Sequence, residues 1–165
     1  MASNLSAGIS KKFPIDQPIW CNMYDSLGYA GVLSTGATAN ANTDVDAEGD
    51  LPSTCESEFL IVVTNTTQND VKYGSAGYGS KSVDLGAPGD GSTSTADPIG
   101  YASFGGTSCA TPHVTGAIAL MYAASTCALE TTYMDYPVES ARAVRNAILN
   151  NVDKLSSLNG VTVTG

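Results

Sequence analysis

The run Phe59-Leu60-Ile61-Val62-Val63-Thr64 restricts the fold of this chain more than any other stretch, because it is apolar almost without interruption. A strand with one wet face alternates apolar and polar residues, whereas this run offers two faces for burial. Such a strand belongs in a parallel sheet with helices packed on both sides. The remaining segments fit that plan. Ala2 to Ile9 reads as a short strand running into a glycine turn. Val32 to Thr38 and Ser82-Val83-Asp84-Leu85 read as two further strands. Between the first two, Ile19, Met23, Leu27 and Ala30 recur at helical spacing, with Asp16 as N-cap, Pro18 in the first turn and Gly31 as the stop. Strand, helix and strand then form a right-handed unit. A last helix over Val138 to Asn150, opened by Pro137, turns Val138, Ala141, Val144, Ala147 and Ile148 inward and leaves Arg142 and Arg145 outside. Gly89 to Gly106 reads as a long polar connection, and Val161 to Gly165 as an edge strand broken off in mid-course. Together these segments give an α/β fold.

At 165 residues the chain suits one domain with a sizeable core. Its net charge of −9, from 16 acidic and 7 basic residues, opposes binding to nucleic acid or to an anionic membrane. The longest apolar stretch, Ala117 to Ala124, falls far short of the roughly 20 residues a bilayer requires. Asp44, Asp46, Glu48 and Asp50 alternate in a way that suggests calcium. They lack the terminal bidentate glutamate of a full calcium loop and read as a solvated acidic loop, so no cofactor is assigned. Cys21, Cys55, Cys109 and Cys127 show no zinc or redox spacing. Cys109 reads as a packing residue, and pairing among the other three stays open.

The chemistry points to Gly106-Thr107-Ser108-Cys109-Ala110-Thr111-Pro112-His113-Val114-Thr115-Gly116, which leads into the good helix formers Ala117 to Tyr122. Ser108 falls near the N-cap of that helix, where unsatisfied N–H groups and the helix dipole favour a developing negative charge. The run resembles the nucleophile motif of the subtilisin-like serine peptidases, G-T-S-x-A-x-P-x-V-x-G, at every fixed position. Asp84-Leu85-Gly86-Ala87-Pro88-Gly89 is similar to the family's strand ending in A-P-G, and Gly31 to Asn40 to the strand that ends in the oxyanion asparagine.

Nearly the whole chain is covered by that resemblance, and it implies a three-layer subtilisin-like fold with Ser108 as nucleophile and Asn40 as oxyanion donor. Ala39 stands where the family prefers glycine, and Asn42 competes for the donor role. The resemblance also makes Ser6, Ala7 and Gly8 a substrate-side edge that pairs with an extended polypeptide. It further implies secretion.

A serine hydroxyl needs a base oriented by a carboxylate. The chain has one histidine, His113, five residues beyond Ser108 on the same helix. That spacing puts it roughly 140° around and about 7.5 Å along the axis, out of reach of the Ser108 proton. It reads as a residue packed under the helix. The family's D-[ST]-G and H-G motifs are both absent. Residues 1–165 therefore read as the nucleophile-bearing C-terminal part of a peptidase domain incomplete on its N-terminal side, inactive alone, with at least one apolar strand left to meet water. The competing reading is a non-catalytic peptide-binding module or pseudoenzyme.

Overall fold

The computed structural model describes residues 1–124 and 133–165; Cys127 lies outside them. Its centre is a parallel sheet of β1 (Ala2–Leu5), β3 (Leu33–Ala37), β5 (Leu60–Thr66) and β6 (Leu85–Pro88), in the order β1-β3-β5-β6. A short ladder joins β2 (Ile9–Ser10) to β4 (Asp50–Leu51) in antiparallel fashion, with Ser10 opposite Asp50. The helices are α1 (Pro18–Tyr29), α2 (Val45–Glu48), α3 (Thr107–Ala123) and α4 (Pro137–Asn150).

Two cores flank the sheet, as the sequence of β5 requires. Phe59, Ile61 and Val63 pack with Leu33, Ala110, Val114 and Ile118 of the α3 side, together with Ala141 and Val144 of α4. Leu60 and Val62 pack with Tyr24, Val45, Leu51 and Val83 on the opposite side. Every residue of β3 and of β5 is buried. The expectation that one of these strands meets water is thus overturned, because helices within this chain cover both. The apolar surface that does meet water lies elsewhere: Leu120 on α3 is 70% exposed and Ile19 on α1 is 84% exposed.

Other expectations also shift. The apolar periodicity of Ile19 and Met23 misreads the packed face of α1, which buries Tyr24 and Gly28 instead. A Cβ on Gly28 would lie 1.9 Å from Cγ of Phe59, so the bare backbone sets the close approach of helix and sheet. Asp16 sits in a 3-10 turn (Pro14–Asp16), where its carboxylate accepts the Phe13 N–H at 2.9 Å, and Gln17 is the cap of α1. Strand β6 begins at Leu85 rather than Ser82, because the carboxylate of Asp84 takes the Val62 N–H at 2.7 Å in place of a ladder carbonyl. Within the Gly89 to Gly106 connection, β7 (Ser92–Thr95) and β8 (Tyr101–Phe104) form an antiparallel hairpin. Its serines and threonines hide the strand signal, since neither face is buried.

Arg142 and Arg145 are not free in solvent. Arg142 forks onto Glu58 with two 2.7 Å bonds, and Arg145 donates to Leu60 O at 3.2 Å and to Asp84 Oδ1 at 3.0 Å. Val161 to Gly165 is not a strand but a turn, from which Val163 and Thr164 donate their N–H groups to the Val83 and Asp84 carbonyls. Cys21 and Cys55 form a disulfide that ties α1 to the loop after β4, and Cys109 is a free, buried thiol.

The acidic loop is in part built into the structure: Glu48 is exposed, whereas Asp44, Asp46 and Asp50 are held by hydrogen bonds. Asp44 caps α2 through the Asp46 N–H, and the Asp46 carboxylate accepts the N–H groups of Lys81 and Ser82 at 3.0 Å each. Asp50 is buried. Among the described residues, no three His, Cys, Asp or Glu side chains gather to hold a metal.

Candidate active site

Helix α3 begins at Thr107, with Gly106 as its N-cap at φ +89°. Ser108 is therefore the second helical residue and not the cap. Gly106 is required here, because the left-handed conformation disfavours side chains and a Cβ would lie 2.8 Å from Asn40 Oδ1. Capping comes from across the sheet instead. Asn40, three residues beyond β3, accepts the Thr107 N–H on Oδ1 at 3.0 Å. The Thr107 hydroxyl donates to the Thr38 carbonyl at 2.6 Å and draws the helix start onto the end of β3. With its oxygen committed to a donor, the Asn40 carboxamide has a fixed orientation, and its Nδ2 hydrogens are free to point elsewhere. Asn42 points to a different place, where its Oδ1 accepts Lys72 Nζ at 2.9 Å.

Ser108 faces the loop that follows β1. Pro112 lies inside α3 and has no N–H to give the Ser108 carbonyl one turn earlier. The Ser6 hydroxyl fills that vacancy at 3.1 Å. In return the Ser108 hydroxyl donates to the Ser6 carbonyl, also at 3.1 Å. The two serines are thus clasped reciprocally. A carbonyl does not remove a proton, so Ser108 is positioned but not activated by its neighbours here. Thr115 Oγ1 lies 2.6 Å from Thr35 Oγ1 and locks the middle of α3 to β3.

The residues singled out in the sequence converge. Ser6, Ala7, Gly8, Asn40 and Ser108 all line one cavity of about 160 Å³, together with Ser10, Asp50 and Thr107. A larger cavity of about 390 Å³ lies around Asp84 and Arg145 and contains neither Ser108 nor Asn40. His113 is corrected from packed to exposed, and its Nδ1 lies 2.8 Å from the carbonyl of Cys109. It stays outside the cavity.

Asp50 was legible only as one member of an acidic run, yet it forms part of the cavity wall. Its Oδ2 accepts the Ser53 hydroxyl at 2.6 Å and the Ala39 N–H at 3.1 Å. Burial raises its carboxyl above the usual aspartate range, against the opposing pull of hydrogen bonds from Ser53, Ala39 and Ser10. No periodicity or motif would have placed it there, because only the β2–β4 pairing carries it to the site.

Comparison with known proteins places the chain in a family. The subtilase family model (Peptidase_S8) matches residues 2–162. The chain belongs to the subtilase family. It is 41% identical to thermitase of Thermoactinomyces vulgaris over 58% of this chain and 29% of that protein. It is 32% identical to an extracellular protease of Xanthomonas campestris pv. campestris over 60% of this chain and 18% of that protein. A cold-adapted subtilisin-like serine proteinase superposes with a TM-score of 0.73 at 25% identity, covering 98% of this chain and 52% of the other. The fold is α/β and subtilisin-like, and the chain spans about half the length of that solved relative.

Proposed function

We propose that this chain is the nucleophile-bearing portion of a serine endopeptidase domain that cleaves polypeptides by acyl transfer. The observation that carries the reading is the single cavity shared by Ser108, Asn40 and the Ser6-Ala7-Gly8 segment. Ser108 Oγ attacks the scissile carbonyl carbon, and the oxygen left with negative charge lies toward Asn40 Nδ2 at the positive end of α3. The substrate backbone pairs with the Ser6 to Gly8 edge. The histidine and aspartate that activate the serine come from a missing N-terminal portion of the same domain. That portion covers the outer edge of β1 and the exposed apolar side of α3. The chemistry needs no cofactor.

Kinship with an extracellular protease supports a secreted protein, as does the Cys21–Cys55 disulfide, a bond that persists in oxidising compartments. Joining the chain to a segment that supplies the D-[ST]-G and H-G motifs should restore peptide hydrolysis, and Ser108→Ala should abolish it. A joined protein that binds peptides without hydrolysing them would favour the binding-module reading.

A further inference from the structure

We infer that Asp50 makes this cavity select substrates with a lysine or arginine immediately before the cleaved bond. The inference rests on the proposed role of Ser108. Once the scissile carbonyl lies between Ser108 and Asn40, the side chain on its own residue has a cleft beside it, the cavity those two residues line. At about 160 Å³ that space is some five times the ~30 Å³ share of a water molecule, enough for a long unbranched side chain.

The cavity wall has a distinctive charge pattern. Asp50 is its one ionisable side chain; the others are serine, threonine, alanine, glycine and asparagine. None of the ion pairs among the described residues includes Asp50, although it is only 1% exposed. A buried carboxylate without a cation is costly, and it rewards any ligand that brings one. Its partners within the chain are all neutral donors, Ser53, Ala39 N–H and Ser10, which hold the carboxylate in place without neutralising it. An ammonium or guanidinium entering from the Ser108 side completes the pair as a charge-assisted hydrogen bond. An uncharged side chain of the same length leaves it incomplete, and an acidic one adds a like charge in a confined space.

The test is equilibrium binding of fluorescent tetrapeptides to the 165-residue chain. The peptides end in lysine, arginine, norleucine or glutamate, so that this residue seats in the cavity. The expected result is that lysine and arginine peptides bind at least about tenfold more tightly than norleucine, with glutamate weakest. Asp50→Asn, which keeps the hydrogen-bonding shape without the charge, should bring lysine and norleucine to equal affinity. The peptide series on the unaltered chain decides the matter even if that variant fails to fold. Equal binding of lysine and norleucine peptides by the unaltered chain overturns the role of Asp50 while leaving the groove intact. Absence of binding by every peptide overturns both this inference and the groove itself.

Discussion

Asn40 Oδ1 accepts the N–H of Thr107 at 3.0 Å, so one side chain from beyond the end of β3 caps the helix whose second residue is Ser108, the proposed nucleophile. This bond couples two jobs, because it starts α3 and also aims the amide nitrogen of Asn40. In the domain completed with its histidine and aspartate, Asn40→Ala should lower kcat by about 10²–10³ with little change in KM, a scale taken from the oxyanion asparagine of a subtilisin. Steady-state kinetics on a peptide amide checks it. Equal losses at Asn42 and none at Asn40 would move the donor role.

Helix capping predicts a second, separable effect of the same substitution. Loss of an N-terminal cap costs about 0.5–2 kcal/mol, so Asn40→Ala should lower the urea midpoint of the chain, whereas Asn40→Asp should retain the cap and lose the donor. Comparing the two variants by denaturation and by rate separates architecture from chemistry.

Two buried carboxyls give stability a defined pH dependence. Burial raises Asp50 and Asp84 above their ordinary value of 3.8, in Asp84 against the attraction of Arg145. A carboxyl raised in the folded state stabilises fully below its unfolded pKa, and that contribution is lost as pH rises through the folded value. Asp50→Asn removes the loss at that site. The urea midpoint of D50N relative to the parent should therefore climb as pH rises from the ordinary aspartate value of 3.8 through the raised folded one. A difference that falls over that range would contradict the assignment.

The Cys21–Cys55 bridge closes a loop with a sequence separation of 34 residues and clamps α1 beside the loop that follows β4, next to Asp50 and Ser53 in the chain. Opening such a loop frees the unfolded chain and costs about 3–4 kcal/mol. Cys21→Ala with Cys55→Ala should lower stability by that order in chemical denaturation, whereas Cys109→Ala should leave the bridge untouched.

The layers of the fold were legible because β5 is apolar on both faces, and helices on each side bury Ile61 and Val62 together. The start of α3 after a glycine turn was legible from its motif, down to Pro112, whose missing N–H leaves the Ser108 carbonyl to Ser6. What escaped was set by tertiary pairing. Asp50 enters the cavity wall only through the register of Ser10 opposite Asp50, and Arg145 leaves solvent only because Asp84 waits at the start of β6. Periodicity alone misassigned the packed face of α1, since the exposed Ile19 and Met23 are as apolar as a core pair.

Those exposed residues lead to a further expectation. Leu120 and Met121 on α3 and Ile19 and Met23 on α1 present apolar surface to water. The isolated chain should bind a hydrophobic dye and self-associate, and Leu120→Lys should reduce both. Fluorescence titration with light scattering measures the two together. A monodisperse chain that binds no dye would favour a stand-alone module.

Stoichiometric labelling with a fluorophosphonate tests most directly whether Ser108 is a nucleophile that lacks its base. The chain alone should remain unlabelled. The same chain joined to an N-terminal segment bearing the D-[ST]-G and H-G motifs should label once, at Ser108, and Ser108→Ala should abolish the label. Rapid labelling of the chain alone, or labelling of the joined protein at any other residue, would contradict that role for Ser108.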